Sequence, residues 1–336
     1  MSYIMGSTMN CLTNVLFCII ITTNIYVIQS NLVEQCSNIN ELRLSDLKTF
    51  SKSILPELDG KGKGEAGKIG IIGGSVEYTG APYFAAISSL RAGADQVYVI
   101  TTANAAPIIK AYSPDLIVYP FLNSNSASKL NYILSKMDVI VLGPGLGRED
   151  EAIHLAYEIM QTCKSLKKPM VIDADGLFAV YQNISVLKDY PSPGVILTPN
   201  KREANRLMQA VQAKNLSWYE YWGSNVSVLA KGEYDTFLSS VGAVKWSSNE
   251  GGSSRRAGGQ GDILSGSLGT FFNWALKTNY FCTKGKITPF SQSVAAYAAA
   301  RLTRSCNSRA YKIYGRSMIA SDMLKEIHKA FEEQFL

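Results

Sequence analysis

The sequence predicts an α/β fold, a mostly parallel central sheet with helices on both faces and a small antiparallel edge. Two observations lead there. Beyond about residue 60, short apolar stretches alternate with stretches of helical spacing. Continuous apolar strands between amphipathic helices mean a parallel sheet covered on both faces. The pair "VSVLAKG" and "DTFLSS", joined near Gly232, reads as a hairpin and supplies the antiparallel edge. No internal repeat, low-complexity block or proline-rich linker divides the chain, so one domain over 51–336 is expected after an N-terminal segment, 1–50.

In chain order, "KIGIIGG" (68–74) is a short strand ending in glycines, and "APYFAAISSLRAG" (81–93) is a helix with a glycine stop. "QVYVIT" (96–101), "LIVYP" (116–120) and "MDVIVLG" (137–143) are strands. "PGLGRED" then leads into a helix running to about Leu166. "PMVIDADG" (169–176) and "GVILTPN" (194–200) are strands, each followed by a helix. The hairpin strands, 226–232 and 235–240, come next, and long helices start near Gly261, Ser291 and Ala320.

In sheets of this kind, ligands bind outside the carboxyl ends of the strands. The unusual residues fall there. One strand ends in Gly143-Pro144-Gly145-Leu146-Gly147, another in Asp173-Ala174-Asp175-Gly176. A third ends at Asn200 with Glu203 one helical turn on, and a fourth at Lys231-Gly232 with Asp235 nearby. The turn Gly258-Gly259-Gln260-Gly261-Asp262 joins them at a helix start. Singly, each is explained by a glycine turn, a helix cap or a solvated acid, and Asp262 in particular by an N-cap. Five such features on one rim point to a site. Glycines let backbone N–H groups turn toward one point, and a helix N-terminus favours an anion, most often phosphate. Asp262 beside that nest is placed to take a proton.

Composition narrows the classes. The 336 residues are 46% hydrophobic and 18% charged with a net charge of +6, which fits anionic small molecules and makes no case for nucleic acid. Six cysteines at 11, 18, 36, 163, 282 and 306 show no metal-type spacing, so neither a disulfide framework nor a zinc site is expected. The two histidines, His154 and His328, adjoin no glycine-rich loop, which argues against a Ser-His-Asp mechanism. "VLFCIIITTNIYVI", Val15 to Ile28, is of signal-peptide length but follows no Lys or Arg. It reads as a poor targeting signal, a signal anchor or an extension, and is set aside from the fold. The location stays open between the cytoplasm and, if the segment is a genuine signal, the mitochondrion or the endoplasmic reticulum.

The wording "GKIGIIGGSVEYTGAPYFAAISSLRAGAD", "AAPIIKAYSPDLIVYP", "VLGPGLGRED", "VIDADGL", "LTPNKREANRL", "KGEYD" and "EGGSSRRAGGQGDILSGSLG", in this order, resembles the ribokinase-like fold, and within it the ATP-dependent NAD(P)H-hydrate dehydratases. "GGQGD" alone marks the superfamily; "EYTGAPYFAAISSLRAGAD" with "SSRRAGGQGD" is far more specific. The resemblance runs from Gly64 to the C-terminus. It implies a repair reaction, in which ATP phosphorylates the hydroxyl of hydrated NADH or NADPH and loss of phosphate restores the reduced dinucleotide. Mg²⁺ is expected with ATP, because phosphoryl transfer needs charge neutralisation; the chain offers no compact metal cage, and the ion is expected to ride on the phosphates, with Glu203 a candidate to reach it through water and direct ligands left open. A functional partnership with an NAD(P)H-hydrate epimerase is implied too; assembly as a homo-oligomer stays open.

By resemblance, Lys231, Gly232, Glu233, Tyr234 and Asp235 line the ATP site, together with Gly252, Ser253, Ser254, Arg255, Arg256, Ala257, Gly258, Gly259, Gln260 and Gly261. Gly145, Gly147, Asn200, Lys201, Arg202, Glu203, Ala204, Asn205, Arg206 and Asp262 meet the hydrated dinucleotide, with Asp262 the catalytic base. Arg255 and Arg256 are candidate phosphate clamps against a reading as a solvated basic turn, and Tyr78, Thr79 and Pro82 candidate neighbours of the damaged ring. "NKREANRL" is more charged than the family's apolar-centred version, which leaves the fine substrate contacts open. Two other functions stay open on the residues alone: a ribokinase-like kinase of a sugar, vitamin or thiazole alcohol, and a nucleotide-binding protein without catalysis.

Overall fold

Nine strands form one sheet in the order β3-β2-β1-β4-β5-β6-β7-β8-β9. They are β1 (Lys68–Ile72), β2 (Gln96–Ile100), β3 (Ile117–Tyr119), β4 (Val139–Leu142), β5 (Met170–Ile172), β6 (Val195–Leu197), β7 (Val226–Ala230), β8 (Asp235–Leu238) and β9 (Trp246–Ser248). β1 to β7 pair in parallel, whereas β8 and β9 are antiparallel. This computed structural model describes residues 42–60, 62–212, 216–278 and 287–336. The apolar stretch Val15–Ile28 and the targeting expectation tied to it lie outside the described residues.

The central strands are buried from end to end: every residue of "VIVL" in β4, "MVI" in β5 and "VIL" in β6 is fully covered. Only helices on both faces do this, as the uninterrupted apolar runs require. The helices among the described residues are α1 (Leu44–Ser53), α2 (Gly80–Ala92), α3 (Ala106–Tyr112), α4 (Ala127–Lys136), α5 (Asp150–Ser165), α6 (Ala174–Gln182), α7 (Lys201–Val211), α8 (Gln260–Lys277), α9 (Ile287–Tyr314), α10 (Ala320–Lys325) and α11 (Ile327–Phe335). α2 stops at Gly93, which takes the left-handed conformation (φ 113°) that ends helices.

The strands are shorter than the apolar runs suggest, because the glycines at their ends belong to loops. A Cβ on Gly73 would overlap the Pro144 carbonyl oxygen, and one on Gly143 (φ 121°) the Asp173 carbonyl oxygen. β9 was not expected: it is three residues long, and its hold is Trp246, stacked on Phe237 of β8 at 6.0 Å. α1 is a second difference. It crosses the expected boundary at residue 50 with Leu47, Phe50 and Ile54 buried, and Phe50 packs edge-on against Phe290 of α9. Packed structure therefore begins before residue 51. The single helix expected from Ala320 is two, broken at Glu326.

α8 positions the site. Residues Ile263 to Ala275 are all buried, so this helix is the centre of one helical layer. It approaches α2 closely enough that a Cβ on Gly266 would overlap the Ala85 carbonyl oxygen, and Ser89 and Thr270 share a 2.8 Å hydrogen bond across the contact. Small residues permit that approach, and the approach fixes where the N-terminus of α8 lies over the sheet.

Of the six cysteines, Cys163 and Cys306 are described; both are buried free thiols, and burial pushes Cys163 up to about 12. His154 is exposed on α5, and His328 is exposed on α11 beside Glu332.

Candidate active site

Register turns distant segments into one rim. Leu142 pairs with Ile172, Ile172 with Leu197 and Leu197 with Val228. The loops after β4, β5 and β6 thus start at one level. A further bridge between Asn200 and Lys231 continues the β6–β7 pairing past the strand ends, and the Lys231 N–H donates to the Pro199 carbonyl at 2.8 Å.

Lys231 is the cation of this rim. Its Nζ lies 2.6 Å from Asp173 Oδ1, in a pair whose side chains are 19% and 2% exposed. A Cβ on Gly261 would stand 3.2 Å from that Nζ, which sets the ammonium against the start of α8. Burial opposes the charge, but the Asp173 and Glu203 carboxylates outweigh it, and the ammonium is held above its ordinary range. Asp173 was read from sequence only as part of a strand end. Here it is the anion that holds the lysine, almost wholly buried. An acid directly after an apolar strand was the available signal.

The N-cap of α8 is Gly259, at φ 89°, and it offers no side chain to cap with. Its conformation and surroundings both demand glycine, since a Cβ would stand 2.6 Å from the Ala320 Cβ and 2.9 Å from the Phe84 ring. Gly258 differs, because a Cβ there would meet open space. The N–H groups of Gly258, Gly259, Gly261 and Asp262 donate to no acceptor among the described residues. Four unpaired donors at a helix N-terminus, beside an ammonium, form an anion site.

Asp262 is the third residue of α8, and its side chain makes no capping bond, so the capping explanation is overturned. Its carboxyl is pushed up to about 7, first by burial and then by the Asp173 and Asp175 carboxylates, against the pull of Lys231. A carboxyl near neutrality beside an anion site is suited to general-base work.

Asn200 and Glu203 are engaged with each other. The Asn200 side chain accepts from the N–H groups of Arg202 (2.9 Å) and Glu203 (3.1 Å), while Glu203 Oε2 accepts from the Asn200 N–H at 2.8 Å. This is a capping box that starts α7. Burial raises the Glu203 carboxyl and Lys231 moderates the rise. Ala204 is half-buried, whereas Lys201, Arg202, Asn205 and Arg206 are exposed on the same helix start. Gly145 (φ 61°) passes close under Tyr78, where a Cβ would lie 2.8 Å from the tyrosine Cβ. The Gly147 N–H donates to Asp175 Oδ2 (3.1 Å), and Arg148 Nε to Asp175 Oδ1 (2.8 Å). Thr79 bonds the Tyr112 hydroxyl at 2.8 Å. Pro82 is buried, with its ring beside Gly74.

A cavity of about 380 Å³ opens beside the anion site. Its walls include Asn200, Lys231, Gly232, Asp235, Gly252, Arg256, Ala257, Gln260 and Gly261. The rest is Leu264 of α8 with Thr303, Arg304 and Asn307 of α9. Sequence reasoning missed the α9 residues, since nothing in a helix of mixed composition marks the face that meets a loop far away in sequence. Glu233, Tyr234 and Ser254 are exposed, and Ser253 bonds Asn307. The Arg255 guanidinium donates to the carbonyls of Met318 (3.3 Å) and Arg256 (3.0 Å), and Arg255 is not among the residues that line the cavity. Arg256 does border the cavity, while donating to the Ser253 carbonyl at 2.5 Å. Among the described residues no group of three His, Cys, Asp or Glu side chains converges to hold a metal.

The architecture is that of the ribokinase-like α/β proteins. A crystal structure of a ribokinase-like superfamily protein from Enterococcus faecalis superposes with a TM-score of 0.67 at 20% identity, over 86% of this chain and 95% of that one. The ADP/ATP-dependent NAD(P)H-hydrate dehydratase from Bacillus subtilis, co-crystallised with ATP/Mg²⁺, gives 0.61 at 18% identity, over 88% and 99%. The family model described as NAD(P)H-hydrate dehydratase matches residues 69–329, and the chain belongs to that family. The ATP-dependent (S)-NAD(P)H-hydrate dehydratase of Aedes aegypti is 46% identical over 293 residues, covering 87% of this chain and 86% of that protein. The protein of the same name from Homo sapiens is 44% identical over 295 residues, covering 84% and 83%.

Proposed function

We propose that the protein is an ATP-dependent dehydratase of hydrated NADH and NADPH, which phosphorylates the ring hydroxyl and eliminates phosphate to give NAD(P)H, ADP and phosphate. The carrying observation is the start of α8, where four unpaired N–H groups, the Lys231 ammonium and the Asp262 carboxyl meet. ATP lies in the adjoining cavity with its γ-phosphoryl group at the N–H groups. The hydrated ring approaches Asp262 from the side of Gly145 and Tyr78. Asp262 takes the proton of the hydroxyl as that oxygen bonds to the γ-phosphorus, and ADP leaves. The N–H groups and Lys231 stabilise the charge on the transferred oxygens. Asp173 keeps Lys231 aimed at the site.

Mg²⁺ supplies charge neutralisation on the phosphates in such transfers. Among the described residues no carboxylate cage stands ready for it, so phosphate oxygens and water would hold it. Glu203 Oε1, free of the capping bond, is the carboxylate oxygen available to such a water.

The test is incubation of the purified protein with ATP, Mg²⁺ and acid-hydrated NADH. Recovery of the near-ultraviolet absorbance of reduced nicotinamide, with free phosphate released in step with ADP, is the expected result. A stable phosphorylated product without recovered absorbance would instead identify a small-molecule kinase.

A further inference from the structure

We infer that Arg304 of α9 is a positioning residue that gives the ATP cavity its shape and is not a phosphate ligand, an inference that rests on the reading of that cavity as the ATP site. The guanidinium has five N–H donors, and each finds a protein acceptor. Nε donates to Asp235 Oδ2 at 2.6 Å. Nη1 reaches the carbonyls of Asn249 (3.4 Å) and Gly251 (3.3 Å). Nη2 reaches those of Gly232 (3.1 Å) and Glu233 (2.7 Å). No donor is left for phosphate. What the side chain does is join two loops, the β7–β8 turn and the segment after β9.

Those loops depend on it. Asp235 pairs with Ser248 at the end of the β8–β9 ladder, and no backbone bond ties the turn to the segment 249–257 beyond that pair. Gly251 (φ 74°) and Gly252 (φ 84°) take left-handed conformations against Arg304, where a Cβ on Gly252 would stand 3.4 Å from Nη1. One helical step on, Asn307 continues the template. Its Oδ1 accepts from the Ser253 N–H (2.6 Å) and hydroxyl (2.7 Å), and its Nδ2 donates to the Arg255 carbonyl (3.2 Å). The Arg304–Asp235 pair is only 13% and 11% exposed, so water does not substitute for it easily. Lysine keeps the charge but lacks the planar fork, and a point ammonium cannot hold both loops.

The experiment is steady-state kinetics of Arg304→Lys with ATP and acid-hydrated NADH, and thermal melting with and without Mg²⁺-ATP. The expected result is a rise of about ten- to a hundredfold in KM for ATP, with KM for the hydrated dinucleotide and kcat within about twofold of wild type. The shift in melting midpoint produced by ATP should shrink, while the midpoint without ATP stays near wild type. Asn307→Ala, which loosens the same segment without disturbing a charge, should move KM for ATP in the same direction. An unchanged KM for ATP in both variants, or an equal rise in both KM values, would overturn the inference. If the wild-type protein shows no ATP-induced shift at all, it is the assignment of the cavity that fails.

Discussion

In the proposed reaction Asp262 is the base, and its surroundings set its working range. A base must be ionised, and this carboxyl is held up to about 7 by burial and by Asp173 and Asp175. The free enzyme should therefore gain kcat/KM as pH rises through about 7 and level off above it, because below that pH the carboxyl is protonated. Asp262→Asn should lower turnover by at least about 10²-fold, the usual scale for a general base, while ATP still shifts the melting midpoint. The sign on stability is opposite. A carboxyl with a raised folded-state value stabilises the fold least where it is ionised, so its contribution is lost as pH climbs from the unfolded value toward 7. Asp262→Asn should thus melt higher than wild type at pH above 7, with the difference fading in acid. Retention of more than about a tenth of wild-type turnover would remove Asp262 from the role of base.

The element that matters most is the start of α8. Its two leading glycines look alike in sequence and do different work. Gly259 needs its left-handed backbone and has Ala320 and Phe84 against it, so Gly259→Val should destabilise the protein by about 1–3 kcal/mol or more in thermal melts, as overpacking with strain does. Gly258 faces open space, so Gly258→Ala should fold with an unchanged melting midpoint yet bind ATP more weakly if, as proposed, phosphate approaches there. Equal ATP affinity in Gly258→Ala and wild type would mean that this turn does not receive the phosphate. "GGQGD" disclosed the turn, but it did not distinguish the two glycines. That distinction belongs to α10 and α2, which bring Ala320 and Phe84 to one and leave the other bare.

At the scale of the molecule, the question is where the packed body begins. The Leu42 N–H donates to the Ala243 carbonyl at 2.9 Å, and α1 buries Leu47, Phe50 and Ile54. A chain starting at Glu41 should keep wild-type activity and melting behaviour. One starting at Leu55 loses the buried apolar side chains of Leu42, Leu47, Phe50 and Ile54, worth roughly 2 kcal/mol each, and should melt well below wild type. If the shorter chain melts like the longer one, α1 adds nothing to stability.

The alternation of apolar strands and helices, the rim of strand ends and the glycine turn at the start of α8 were all readable in the sequence. These follow from local rules: apolar period, glycine conformation and helix starts depend on residues close in the chain. Other features were decided only by the tertiary structure. Asp173 is 58 residues from Lys231, and Arg304 lies 69 residues from Asp235. Arg255, which sequence offered as a phosphate clamp, is turned onto the carbonyl of Met318, 63 residues away. Charge pairing and loop shape depend on which side chains register and helix packing bring within about 3 Å, and no local pattern encodes that distance.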